Sequence, residues 1–147
     1  MRTVTYARKD ERIVSGSEDA EIAVWEGDSN KLVRKLKGHD DMIFSIAVVG
    51  EKIFSSSEDK TIRVWDLDTG HVESIIDGHT APINAIKLSP DGQWIVSASD
   101  DAPMRVLDSR TGQQHRVPDT VSMNWFLHAK TVKKRNSYLN IFHYSVE

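Results

Sequence analysis

The sequence predicts an all-β fold made of stacked copies of one four-stranded antiparallel sheet, and three observations carry that prediction. The phrase SEDAEIAVWE at residues 17–26 returns forty positions later as SEDKTIRVWD at 57–66. Around it the chain breaks into short runs rich in Ile, Val, Phe and Thr, the texture of strands on a half-buried pleated surface. Turn-forming residues punctuate those runs at matching positions in each copy. A period of this length marks a repeat architecture before any single element is assigned.

The copies align residue by residue. Ile13, Ser15, Glu18, Asp19, Ile22, Val24 and Trp25 reappear as Ile53, Ser55, Glu58, Asp59, Ile62, Val64 and Trp65. A weaker third copy follows forty-two positions later at Ile95, Ser97, Asp100, Asp101, Met104, Val106 and Leu107. Gly38-His39 likewise recurs at Gly78-His79. In the clearest copy MIFSIAVV (42–49), KIFSSS (52–57), TIRVWDL (61–67) and HVESII (71–76) read as consecutive strands. The gaps are too short for helical crossovers, so the strands form an antiparallel meander.

Asp59 anchors the turn between the second and third strands, and Asp68-Thr69-Gly70 closes the third onto the fourth. Gly70 suits a positive φ there. Gly112 and Asn30 hold the same place in the other copies, Asn being the next most tolerant residue. Pro90-Asp91-Gly92 closes the first hairpin of the third copy. The adjacent Ile53 and Phe54 put apolar groups on both faces of the sheet. Such a sheet has two faces to cover, and stacking copies covers them.

A chain of 147 residues with 39 % hydrophobic content has room for one domain and its core. The charge is unevenly spread. Residues 1–118 hold 15 Lys and Arg against 20 Asp and Glu, whereas 119–147 hold 4 against 2. With no cysteine there is no disulfide framework, thiolate zinc site or cysteine nucleophile. The opening MRTVTYARKD lacks the roughly 7–15-residue apolar core of a signal peptide, and no apolar run approaches the roughly 18 residues of a membrane span. A soluble, intracellular protein is expected, in the cytoplasm, with the nucleus as the variant.

These residues resemble the WD-repeat family, whose units run from a Gly-His pair through three strands to Trp-Asp and then a fourth strand. The matching positions are Gly38-His39 with Trp65-Asp66, and Gly78-His79 with Leu107-Asp108. The resemblance covers residues 1–118 and implies a β-propeller, blades of four antiparallel strands set radially, typically about 4 to 8 of them. The chain supplies three, at approximately 1–36, 41–77 and 81–118, so a partial propeller followed by a non-repeat tail at 119–147 is expected. The apolar outer faces of the first and third blades would then meet water. A fragment or truncated form of a longer propeller, or closure by self-association, would cover them.

Ser55, Asp59 and His39 are also the members of a Ser-His-Asp triad. The resemblance implies a structural role instead: Trp65 donating to Ser55, Ser55 meeting His39, and His39 meeting Asp59. The third copy keeps His79, Ser97 and Asp101 without an indole, and its network should be weaker. The first has Ser15, Asp19 and Trp25 without a histidine. His39-Asp40-Asp41 reads as solvated loop carboxylates rather than a metal site, and no phosphate-binding glycine loop is present. Neither cofactor nor catalysis is expected.

Function then falls on the mouth of the ring, the family's usual docking face. The resemblance places Met42, Phe44, Pro82, Asn84 and Arg2 there, with Glu18, Glu58 and Asp100 beside them. Apolar residues next to acids suit a protein or peptide with one hydrophobic anchor and a basic flank. The alternative for Phe44 is to turn inward as strand core. In the tail, Lys133, Lys134 and Arg135 stand among Tyr138, Phe142 and Tyr144. A nucleic-acid contact there is the alternative and less favoured reading. Trp125, Phe126, Ile141 and Phe142 offer the apolar area of a short docking helix.

Overall fold

The computed structural model describes residues 1–7, 11–89, 91–101, 104–115, 129–134 and 137–142. The chain divides into two compact units, Met1–Arg116 and Val117–Glu147. In the first unit the strands are β1 (Thr3–Ala7), β2 (Arg12–Gly16), β3 (Glu21–Glu26), β4 (Leu32–Lys37), β5 (Ile43–Val49), β6 (Lys52–Ser57), β7 (Ile62–Asp66), β8 (Val72–Ile76), β9 (Ile83–Leu88), β10 (Trp94–Ser99), β11 (Arg105–Asp108) and β12 (Gln114–His115). They form three four-stranded antiparallel sheets, β1 to β4, β5 to β8 and β9 to β12, each a meander in chain order. No helix occurs among the described residues. The first unit is a three-bladed partial β-propeller.

The turns explain the punctuation of the sequence. Asn30, Gly70 and Gly112 occupy the same place between the last two strands of each sheet, with φ of 54°, 76° and 71°. Only a left-handed residue reverses the chain so tightly there. Before each of the last two turns stands the aspartate of the repeat. Asp66 Oδ1 accepts the amides of Asp68 and Thr69 at 3.0 and 2.6 Å. Asp108 Oδ1 accepts those of Arg110 and Thr111 at 2.8 and 2.9 Å. These amide bonds hold both carboxyls below the ordinary aspartate range. Pro90 lies outside the described residues, and Gly92 beside it has a φ of 72°.

The two faces of the middle sheet enter two different cores. Ile53 packs with Trp65, Ile43 and Ile46 against Ala7, Val14, Ile22, Val24 and Leu36 of the first sheet. Phe54, its neighbour in the chain, packs with Ala47, Ile62 and Val64 against Ile83, Ile86, Ile95 and Leu107 of the third. Both side chains are fully buried, because successive residues of a strand point to opposite faces. Burying a side chain of this size contributes about 1.5–3 kcal/mol.

The outermost faces differ from the expectation that both meet water. On the first sheet Val4, Tyr6, Leu32 and Val33 are exposed. On the third, Val96 and Val106, which point away from the second sheet, are buried. The expectation of exposure is therefore corrected for those two positions.

The second unit contains a hairpin of β13 (Ala129–Lys134) and β14 (Ser137–Phe142), paired antiparallel from Ala129↔Phe142 to Lys134↔Ser137. Ile141 and Phe142 thus lie on a strand, which corrects for them the docking helix that is one reading of the tail. β-branched Thr131 and Val132 and aromatic Tyr138 and Phe142 favour the extended backbone. Trp125, Phe126, Arg135 and Tyr144 lie outside the described residues.

Candidate functional site

In the middle sheet the loop before β5 is tied to the sheet by an unbroken polar chain. β6 carries Ser55 and β7 carries Trp65, and their register places the indole over the hydroxyl: Trp65 Nε1 donates to Ser55 Oγ at 2.8 Å. His39 Nε2 lies 2.7 Å from the same hydroxyl, and its Nδ1 lies 2.6 Å from Asp59 Oδ2. An ionised carboxylate only accepts, so Nδ1 carries a proton. In the neutral ring Nε2 then accepts from Ser55, whose lone pair takes the indole N–H. Asp59 is filled further by Thr61, whose amide and hydroxyl reach Oδ1 at 2.9 and 2.7 Å, and by the Asp40 amide at 3.2 Å. Burial alone would raise the Asp59 carboxyl, but the His39 and Thr61 bonds outweigh it and hold the group well below its usual range.

The glycine before the histidine has a steric cause that sequence reading missed. A Cβ on Gly38 would stand 2.7 Å from Arg63 Nη1 and 3.0 Å from Trp65 Cη2. A Cβ on Gly78 would stand 2.7 Å from Arg105 Nη1. In both sheets an arginine from the third strand roofs the Gly-His pair, and Arg105 donates to the Gly78 carbonyl. The signal was present in the sequence, since Arg63-Val64 and Arg105-Val106 recur at the repeat spacing of forty-two.

The third sheet builds the same tie with one part missing. His79 Nε2 lies 3.0 Å from Ser97 Oγ, and His79 Nδ1 lies 2.9 Å from Asp101 Oδ1. Leu107 stands where Trp65 stands in the second, so Ser97 receives no indole N–H. Burial again works against the ionised Asp101, and the Thr80 amide and His79 outweigh it, leaving its carboxyl lowered. In the first sheet only the Trp25–Ser15 bond remains, at 2.9 Å. Asp19 there is exposed and accepts the Glu21 amide at 3.3 Å.

The order Asp59, His39, Ser55 is that of a nucleophilic triad, but the serine cannot act as one in this state. Ser55 is fully buried and its oxygen is occupied by the Trp65 indole. A substrate carbonyl would have to displace both the loop and the indole to reach it. Among the described residues no group of three His, Cys, Asp or Glu side chains could hold a metal ion.

The predicted mouth residues fall into two separate groups. Arg2, Glu18, Met42 and Phe44 come together across the first and second sheets. Arg2 Nε lies 3.7 Å from Glu18 Oε1, and its Nη1 donates to Met42 Sδ at 3.7 Å. Its guanidinium carbon sits 5.0 Å from the centre of the Phe44 ring, a cation–π contact. Phe44 is half-buried beneath it. In the third sheet Asn84 Nδ2 donates to Asp100 Oδ1 at 2.8 Å, and the Asp100 amide bonds the Pro82 carbonyl at 3.3 Å. Glu58 meets the first group only through its backbone. Its amide bonds the Met42 carbonyl at 2.9 Å, while Oε2 is buried without a partner.

Stacked four-stranded blades, each with a loop tied down by histidine, serine and aspartate, define a propeller repeat. The family model described as WD domain, G-beta repeat matches residues 30–66 and 70–102, so the chain carries repeats of the WD type there. In the first unit the matched segments leave out β1 to β3, whose copy lacks the histidine, and β11 and β12, where Leu107 of β11 replaces the tryptophan. No curated protein matches the chain. WD repeats generally mediate protein–protein interaction and are typically non-enzymatic.

Proposed function

We propose that the chain is a non-enzymatic protein-binding platform that works as part of a larger propeller or assembly. The outer face of the first sheet supports this reading. Register equates Val4 with Ile46, Ile13 with Ile53 and Trp25 with Trp65, since Val4 and Ile46 each oppose the repeat serine and the other pairs follow it. In the second sheet all three residues are buried in the core shared with the first. In the first sheet Val4 is 58 % exposed against 7 % for Ile46, and Ile13 and Trp25 are half-buried. The first sheet therefore carries the residues of an inter-blade core while Val4 and Tyr6 stay more than half exposed. Apolar faces of this kind mark interaction surfaces.

Absolute mass in solution, by light scattering after size exclusion, tests the reading. The chain is expected to associate, and Val4→Lys with Tyr6→Lys to return it to single-chain mass. A rigid, monodisperse monomer at every concentration would count against it. The alternative, nucleic-acid binding through the basic tail, would show as a steep fall of affinity with salt. Localisation in the cytoplasm is part of the same proposal.

A further inference from the structure

One position of the repeat carries a different side chain in each sheet, and the acid beside it has a different fate. The position is Arg2 ahead of β1, Phe44 in β5 and Asn84 in β9, aligned by the pairings Val4↔Ser15, Ile46↔Ser55 and Ile86↔Ser97. In β5 and β9 the register slips here, Ile43 pairing with Ser57 but Ser45 with Ser56, and Ala85 with Ala98 but Ile83 with Ser99. Phe44 and Asn84 are thus bulge residues, left out of the ladder, a device that re-aims side chains. The acid at the head of the neighbouring turn is Glu18, Glu58 or Asp100.

In two sheets the repeat sets a polar partner beside that acid, a cation in the first and an amide donor in the third. Arg2 reaches Glu18 at 3.7 Å, and Asn84 donates to Asp100 at 2.8 Å. Phe44 has no hydrogen to give. Glu58 Oε2 is closed off from solvent with no hydrogen-bond partner. Arg2, whose guanidinium lies over Phe44, is directed to Glu18 and Met42 instead. A carboxylate oxygen removed from water without a donor is unfavourable, and a charged donor meets that need about twice as well as a neutral one.

We propose that Glu58 receives the guanidinium or ammonium group of a basic peptide, with Phe44 and Met42 lining the path of its aliphatic stem. The ligand supplies to the second sheet what Arg2 and Asn84 supply to the first and third. Glu58 as a residue is only half-buried, so rotation of its side chain brings the carboxylate to a donor arriving from solvent. Neighbouring Arg2 does not repel the incoming cation strongly, because Glu18 lies against it. This inference rests on the protein-binding reading above and names the chemistry of its ligand.

The test compares two probes on the full chain by fluorescence anisotropy: acetyl-Ala-Leu-Arg-Leu-Ala-amide carrying a fluorophore, and its twin with neutral, isosteric citrulline for arginine. The arginine peptide is expected to bind about tenfold more tightly, a ratio equal to about 1.4 kcal/mol. Glu58→Gln should bring the ratio to about one, and Asp28→Asn, in the exposed turn between β3 and β4, should leave it. Phe44→Asn provides an in-sheet amide donor like Asn84, and should also remove the preference while Glu58 remains in place. Equal binding of the twins to the native chain, or a preference surviving Glu58→Gln, would overturn the assignment of Glu58 while leaving a docking surface. Failure of both peptides to bind would count against the docking reading and this inference together.

Discussion

The second and third sheets tie down their leading loops with the same histidine, serine and aspartate, yet the second closes the chain with an indole and the third ends in Leu107. The distances follow the difference. His39 sits 2.7 Å from its serine and His79 sits 3.0 Å from its own. A serine that accepts an N–H from one side and donates on the other is polarised by both partners, and such chains strengthen cooperatively. Ser97 has only the histidine side. The triad-like order of residues therefore reports how firmly a blade holds its loop, and the firmest copy is the one whose serine is least able to react.

Breaking the histidine link should give the largest effect. His39→Ala leaves the Ser55 hydroxyl and the Asp59 carboxylate without their main partner in a buried site. It should cost about 3 kcal/mol, from losing one neutral hydrogen bond at about 0.5–1.5 kcal/mol and one to a carboxylate at about 1.5–3 kcal/mol. His79→Ala should cost about 2 kcal/mol on the same scale, because Ser97 receives no indole N–H to strengthen its bond to His79. Urea midpoints of the two variants make the comparison, and equal losses would mean that the indole adds nothing.

A smaller contrast comes from the serines. Ser55→Ala orphans both the Trp65 N–H and His39 Nε2 and should cost about 2 kcal/mol, whereas Ser97→Ala orphans one group and should cost about 1 kcal/mol. Thermal melts separate them.

The acid limb gives the smallest effect. The Asp59 carboxyl is held below its ordinary value of 3.8 in the fold, so the unfolded chain binds more protons than the native one as pH drops. Its contribution is complete above pH 4 or so and is lost as pH falls toward the native value. Denaturant titrations from pH 6 down to 3 should show a flatter decline for Asp59→Asn than for the native chain. Parallel curves would show that Asp59 is not held down by its partners.

Much of this was legible in the sequence wherever repetition exposed it. Asn30, Gly70 and Gly112 announced their turns because only residues tolerant of positive φ recur there. Ile53 beside Phe54 announced a sheet with two buried faces. The partners of His39 could be named because the resemblance to the WD-repeat family implied them. What repetition does not encode was harder to read. The arginine roof over Gly38 and Gly78 required knowing which side chain passes above the glycine. The unmatched Glu58 emerged only when the donors of all three sheets were compared in space. The strands at Ala129–Lys134 and Ser137–Phe142 have no second copy against which to be read.

The central claim is that the middle sheet, covered on both faces and closed by the full polar chain, is the stable centre of the array. Native-state amide hydrogen exchange on the intact chain tests it most directly, since exchange reports local opening free energies element by element. The account predicts that amides of β6 and β7 exchange more slowly than their counterparts in β2 and β3 and in β10 and β11. Equal protection in the three sheets, or slowest exchange in the first, would contradict it.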